Sequence, residues 1–293
     1  MKIKISLGER IFDALNILLM FLLMLLTLYP MLYIVFASFS KPMDFMMHEG
    51  LLFAPLGFST ASYEAVAKNP NILSGYAVTI FVVVAGVFLN IIMTVLGAYF
   101  LSRKGVLFNG FITFFIIFTM YFNGGLIPTY LTVRNLGLDN SLWALIIPGA
   151  ISTFNLIIMR TAFASIPDSM EESAKLDGAN HITILFKIML PLALPTVAVL
   201  VLYYGVSHWN SWFSAMIYLR KRNLFPLQLI LREIIIQNDT NTMTTGAGAG
   251  DRELISETIK YAVIVVATAP ILALYPFLQK YFVKGVMVGA VKG

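Results

Sequence analysis

The chain carries a set of long stretches without a single charged side chain, and these constrain it more than any other feature. Six of them reach about the 20 residues that a helix needs to cross a bilayer. They are Ala14–Phe39, Ile72–Ser102, Gly105–Val133, Asn140–Met159, Ile188–Leu219 and Tyr261–Gln279. Only 12% of the 293 residues are charged and 59% are hydrophobic, whereas soluble domains carry about 25% charged residues. The pattern predicts an all-α integral membrane protein with six transmembrane helices and both termini on one side. The first stretch follows Lys2, Lys4 and Arg10, as a signal peptide would, but it runs uncharged for 26 residues and shows no small-residue cleavage site. Signal cores run about 7–15 residues, so it reads as an uncleaved first span.

Several chemistries are disfavoured by what the residues lack. There is no cysteine, hence no thiolate ligand or nucleophile. There is no GxxxxGK[ST] phosphate loop, and His48, His181 and His208 lack metal-ligand spacing. The Gly246–Gly250 run follows no predicted strand and reads as a flexible loop rather than a dinucleotide fingerprint. No charged residue lies inside a span, which argues against a proton relay or voltage sensor. The spans carry Pro30, Pro128, Pro148, Pro195, Pro270 and Pro276, a mark either of packing kinks or of a bundle that flexes. Asn90 and Asn155 sit mid-span, where asparagine most often acts as interhelical glue.

One polar segment between two apolar blocks organises the rest. It runs Glu-Glu-Ser-Ala-Lys-Leu-Asp-Gly-Ala-Asn-His-Ile-Thr-Ile-Leu-Phe-Lys-Ile-Met-Leu-Pro over 171–191. Ser169 and Glu172 have capping-box spacing, which predicts a helix from about Met170. Gly178 stands where a helix needs a left-handed closing residue. Asn180 can cap a second helix, in which Ile182, Leu185, Phe186 and Met189 would share one face. A plain capped linker would look similar at the level of spacing alone. The full string resembles the EAA loop of permease subunits in ATP-binding-cassette importers, through Glu172, Ala174, Gly178, Leu190 and Pro191, with Ser173 in place of the usual first alanine. Leu-Asp-Gly-Ala over 176–179 is similar to the sugar-importing branch.

Further strings extend the resemblance. They are Phe118–Met120 with Asn123–Tyr130, Trp209–Phe213 with Phe225–Glu233, and the ending Gln279–Gly285 with Gly289–Gly293. Together they resemble permeases of the maltose-transporter type, in the branch importing pectin- or alginate-derived oligosaccharides. The resemblance implies a cytoplasmic EAA loop that docks on an ATPase, with Glu171, Glu172, Ala174, Asp177, Gly178 and Ala179 as coupling residues. It implies a C-terminal ATPase contact at Gly285, Gly289 and Lys292. It also implies an external loop that reaches a sugar-binding protein through Thr240, Asn241, Thr242, Gly246 and Gly248. The partners would be a homologous second permease, two ATP-binding subunits, an extracytoplasmic binding protein and the lipid bilayer, with no nucleic acid. ATP and magnesium would sit on the partners, with no cofactor or metal in this chain and no catalytic residue. The site would be a bacterial cytoplasmic (inner) membrane with both termini inside. Eleven of the 20 Lys and Arg residues then lie inside, a weak positive-inside bias that the basic run Arg220–Arg222 opposes.

The organisation expected is an N-terminal span and first external loop over 1–71, a core permease domain over 72–284 and a cytoplasmic tail over 285–293. In the long outer segment Arg220–Lys260, Leu227, Leu229–Leu231 and Ile234–Ile236 predict a short buried helix below an Asn-, Thr- and Gly-rich tip. Trp209, Asn210 and Trp212 are candidates for a substrate path, since aromatic faces suit sugar C–H surfaces; anchoring in an aromatic belt is the plainer reading. A stand-alone secondary carrier is the competing function, disfavoured by the absence of intramembrane charge and of an inverted repeat. A membrane-embedded enzyme would need clustered His, Asp or Glu in the spans. Co-purification of an ATPase separates the first reading from both others.

Overall fold

The computed structural model describes residues 6–237, 257–273 and 276, and helices dominate. Among the described residues the sole β pairing is an isolated antiparallel bridge between Ser40 and Phe58. Two compact units divide the chain. One holds Met1–Pro70 and Glu233–Ala269, the other Asn71–Arg232 and Pro270–Gly293.

The first unit is built on α1 (Leu7–Ser38). Ser6 and Glu9 close its N-terminus with a reciprocal capping box. From Leu7 to Leu26 the helix exposes apolar side chains all round, as a lipid-embedded helix does. Its C-terminal end is held by side chains. Ser38 Oγ pairs with Tyr63 of α3 (Ala61–Lys68) at 2.8 Å, and Tyr29 accepts from the Leu52 amide at 2.9 Å. The ring of Tyr261, in the helical segment 257–273, sits edge-on to Tyr33 of α1 and to Phe45 of α2 (Pro42–Met46). A buried Ser62–Thr258 hydrogen bond of 2.8 Å joins α3 to that same segment.

The second unit is organised on α4 (Pro70–Ser102). Its buried positions Ile72, Gly75, Thr79, Val82, Gly86, Asn90, Thr94, Ala98 and Leu101 recur every three or four residues, one face of a helix. That face is rich in small and polar residues, the usual contact chemistry where lipid removes the hydrophobic drive between helices. Gly86 is decisive, because a β-carbon there would lie 2.5 Å from Nε2 of His208. Gly75 admits α14 (Leu227–Gln237), where a β-carbon would meet Ile230 Cδ1 at 2.6 Å and the Leu227 backbone at 3.2 Å. The short helix expected here is present: Leu227, Leu229, Ile230, Leu231 and Ile234 are buried, while Ile235 and Ile236, expected beside them, are exposed.

The uncharged blocks do not all become straight spans. Among the described residues, only α1 and α4 are single helices long and apolar enough to cross a bilayer. The third block breaks into α5 (Asn109–Tyr121) and α6 (Leu126–Asn135), which meet at 112°. The fourth breaks between α7 (Trp143–Ile146), which runs on in a 3-10 turn to Gly149, and α8 (Thr153–Ala164), at 51°. The fifth breaks at 83° before α12 (Leu194–Trp209). Each bent pair can count as one broken span, giving up to five, and the sixth block lies partly outside the described residues. Backbone chemistry explains the breaks. Pro128 sits in the first turn of α6, Pro148 in the 3-10 turn and Pro195 at the start of α12. A proline there needs no intrahelical N–H partner but cannot continue the helix before it. Gly124 and Gly125 precede α6, Gly125 with φ +84°.

Candidate functional site

The segment after α8 folds as a short helix, a corner and a second helix. α9 covers Asp168–Leu176. The capping box expected from Ser169 and Glu172 does not form: the helix starts earlier, behind Pro167, without any side-chain cap. Proline fixes the φ that leads into the first turn, so the helix begins beside it. Gly178 has φ +78° and open space around its missing β-carbon, so its requirement for glycine is a matter of backbone conformation alone. Asn180 caps the second helix through a 2.8 Å hydrogen bond from the Thr183 amide. That helix starts as α10 (His181–Ile184) and passes through a π turn (Leu185–Met189) into α11 (Leu190–Leu192). The π turn adds a residue and rotates the faces. Ile184, Leu185 and Met189 are consequently buried, while Ile182 and Phe186, expected beside them, are exposed.

Charge fixes the inner side of α9. Glu171 is 8% exposed and accepts from Arg103, at the foot of α4, and from Lys175 one turn on at 2.8 Å. The Arg103 guanidinium also covers the Tyr99 ring at 5.0 Å, and the Tyr99 hydroxyl meets His181 Nδ1 at 3.1 Å. Lys104 pairs with Asp168 at the start of α9. This hydrogen bond is the main reason that the Asp168 carboxyl is held below the usual carboxylate range and Lys104 above its usual one. Together these groups line a cleft of about 600 Å³ that also includes Glu172. The outer side is different. Glu172, Ser173, Asp177 and Gly178 are exposed, Ala179 is half-buried and Ala174 is buried against the core. Met170, Leu176, Ile182 and Phe186 present apolar side chains outward, with Leu176 89% exposed.

A second hollow lies in the same unit, bounded by α7, α8, α12 and α13 (Phe213–Tyr218). It measures about 890 Å³ and no charged residue lines it. Beside it a polar network ties α4 to its neighbours. His208 Nε2 donates to Asn90 Oδ1 at 2.7 Å, and Asn90 Nδ2 donates to the Gly149 carbonyl at 2.6 Å. Thr94 pairs with the Tyr204 hydroxyl at 2.7 Å, and that hydroxyl accepts from the Ser152 amide at 3.1 Å.

The residues foreseen for function are placed as follows. Glu171, Glu172, Ala174, Asp177, Gly178 and Ala179 lie together on the α9 corner. Trp209, Asn210 and Trp212 do not line the cavity. Trp209 packs edge-on to Tyr76, Asn210 ends α12, and the Trp212 ring carries the Arg232 guanidinium at 4.0 Å. Thr240, Asn241, Thr242, Gly246 and Gly248, with Gly285, Gly289 and Lys292, lie outside the described residues. In the basic run, Arg220 pairs with Asp139 at 3.2 Å, and Asn140 Oδ1 accepts from the Arg220 and Lys221 amides. The sequence reading missed Arg103, Lys104 and Asp168 as partners of α9. It also missed the cavity wall of Ser207, His208, Ser211 and Ser214. A signal existed for the wall, since these polar residues recur at helical spacing in an otherwise apolar block.

Residues 94–288 match the family described as binding-protein-dependent transport system inner membrane components. The chain belongs to this family. The matched region includes the α9 corner and the cavity. The polygalacturonan/rhamnogalacturonan transport system permease protein YtcP of Bacillus subtilis is 41% identical over 290 residues, 97% of this chain and 99% of that one. Protein LplC of the same organism is 41% identical over 284 residues, 97% of this permease and 96% of LplC. A chain in the crystal structure of a bacterial ABC transporter that imports the acidic polysaccharide alginate superposes with a TM-score of 0.88. It is 35% identical, with 96% of this chain and 100% of that chain covered.

Proposed function

We propose that the chain is the permease subunit of an ATP-driven, binding-protein-dependent importer of oligosaccharides released from acidic polysaccharides. Pectic or alginate fragments are the cargo that its relatives favour. One observation carries the coupling half of this reading. The α9 corner is bolted inward by Glu171 and Arg103 while Met170, Leu176, Ile182 and Phe186 face outward uncovered. Exposed apolar side chains rimmed by charge mark a docking surface, and an ATPase subunit is the partner that an EAA segment implies. On this reading the protein lies in a bacterial inner membrane with six spans, some broken, and both termini in the cytoplasm. It pairs with a second permease, and two ATPase subunits hydrolyse ATP on its behalf. The outer loop around Thr240–Gly248 meets the sugar-binding protein, and the tail around Gly285–Lys292 reaches the ATPases.

Co-expression with candidate ATPase, second-permease and binding-protein subunits, followed by purification on this chain, tests the proposal. The expected result is a stable complex whose ATP hydrolysis rises when the binding protein carries galacturonate or mannuronate oligosaccharides. Sugar uptake by this chain alone, without ATP, would contradict it and favour a secondary carrier.

A further inference from the structure

The second unit holds two apolar cores, and three stretches of chain pass from one core to the other where their helices break. The first core gathers Leu156, Met159 and Phe163 of α8 with Ala174 of α9 and Leu200 of α12. The second gathers Leu145 and Ile146 of α7 with Val133 of α6 and Ala215 of α13. The α7 segment parts from α8 at 150–152, and α12 parts from α13 at 210–212. Helix α5, whose Ile112 and Ile116 pack on the first core, parts from α6 at 122–125. Among the described residues, α4 alone enters both cores as one unbroken helix, through Val82 and through Val95. Its buried positions between those two are Gly86, Asn90 and Thr94, so no apolar side chain is buried on α4 at the waist between the cores.

Two polar rungs cross that waist. Asn90 meets His208, and Thr94, one turn on along α4, meets Tyr204, one turn back along α12. All four side chains are buried. Each rung also holds one backbone group at the α7–α8 break. Asn90 donates to the Gly149 carbonyl, and the Tyr204 hydroxyl accepts from the Ser152 amide. A break at membrane depth needs such partners for its freed backbone groups. Asn155, in the first turn of α8, lines the cavity and takes no part in either rung. Interlocked apolar packing resists small deformations, whereas hinges form at the ends of elements, where a few residues absorb the change. The waist therefore has the build of a joint. The α9 corner is part of the first core through Ala174, Ile184 and Met189, and the cavity opens on the joint at Gly149, Ser152, Tyr204 and His208.

We propose that the unit is jointed internally: the first core, with the α9 corner, turns as one body against the second about the α7–α8 break, and the Asn90–His208 and Thr94–Tyr204 rungs latch its resting position. Movement of the corner is then delivered at the cavity wall. The inference rests on the coupling reading above, which supplies that movement.

The chain has no cysteine, so each Cys variant carries a single thiol. Thr94→Cys reports on the joint, Met159→Cys on the first core and Ile146→Cys on the second, and all three native residues are fully buried. The thiols are titrated with a small, water-soluble methanethiosulfonate in the assembled, detergent-solubilised transporter. The resting complex is compared with one trapped by ATP and vanadate in the presence of binding protein. Modification of Thr94→Cys should rise several-fold on trapping, while Met159→Cys and Ile146→Cys stay unreactive in both states. Hydrogen exchange on the unaltered complex repeats the comparison without a variant: the amides of 149–152 should exchange faster on trapping and those of 156–163 should not. An unchanged rate at Thr94→Cys together with unchanged exchange at 149–152 would overturn the joint. Acceleration at either core position to match Thr94→Cys would overturn it too, because the whole bundle would then be loosening. If binding protein fails to stimulate ATP hydrolysis by the unaltered complex, the coupling reading fails and the joint with it.

Discussion

The cleft beside α9 and the cavity beside α12 are both polar hollows of one structural unit, yet one is built from charge and the other has none. In the cleft, Arg103, Lys104, Asp168, Glu171 and Lys175 pair with one another. In the cavity, serines, tyrosines, Thr129, Asn155 and His208 are the polar side chains. The difference follows from the solvent. A charge at mid-bilayer costs about 2.5–3.5 kcal/mol on insertion scales, whereas at a membrane surface ions keep their water. On the proposed topology, charge can therefore fasten the α9 corner, while a cavity within the membrane is lined with neutral hydrogen-bonding groups.

The sharpest way to break this contrast is to disarm the cleft. Glu171→Leu leaves the mostly buried Arg103 without its carboxylate, and the loss should be about 3 kcal/mol, read as a fall in Tm of the solubilised protein. The double variant Arg103→Leu/Glu171→Leu should recover most of it, because replacing both partners removes the stranded charge. Gly86→Ala probes the neutral network. Its β-carbon would press on His208, and overpacking of this kind costs about 1–3 kcal/mol. The asparagine pair comes next. Asn90→Leu strands His208 and the Gly149 carbonyl and should lower stability by about 1–3 kcal/mol, whereas Asn155→Leu should leave Tm unchanged or raised. Equal losses at both positions would contradict the difference in their pairing.

The smallest effect belongs to the exposed Lys104–Asp168 pair. Because Asp168 is held low, its contribution is complete above the ordinary carboxylate value of about 3.9 and is lost as pH falls through the lowered one. Because Lys104 is held high, its contribution is complete below about 10.4 and is lost as pH rises through the raised value. Asp168→Asn should therefore leave the pH dependence of Tm between about pH 5 and pH 9 flat.

Much of this was legible in the residues. Gly178 at a positive φ, the Asn180 cap and the buried helix from Leu227 all follow local rules that a short stretch can express. The broken spans were only half legible. Pro128, Pro148 and Pro195 announced disruption, but hydropathy cannot separate a straight span from one bent by 112° or 83°. The faces of the helix that follows the α9 corner were misjudged for a related reason. A π turn shifts the register at Leu185–Met189, and no residue type there signals it. Glu171 and Glu172 are adjacent and chemically identical. Which one turns inward depends on Arg103, 68 positions away, and pairings of that kind are tertiary facts. The roles of Asn90 and Asn155 were hidden likewise, since each depends on which helix stands opposite.

Coupling through the α9 corner is the central claim, and Gly178 tests it most directly. Its surroundings are open, so a side chain there meets only backbone strain, about 1–2 kcal/mol for a residue that avoids the left-handed region. Asparagine tolerates that region and β-branched valine does not. The measurement is ATP hydrolysis by the assembled transporter with sugar-loaded binding protein, compared between Gly178→Asn and Gly178→Val. Stimulation should persist in the asparagine variant and be lost in the valine variant while membrane insertion stays intact. Full stimulation in Gly178→Val would show that the corner is a linker and that coupling runs elsewhere.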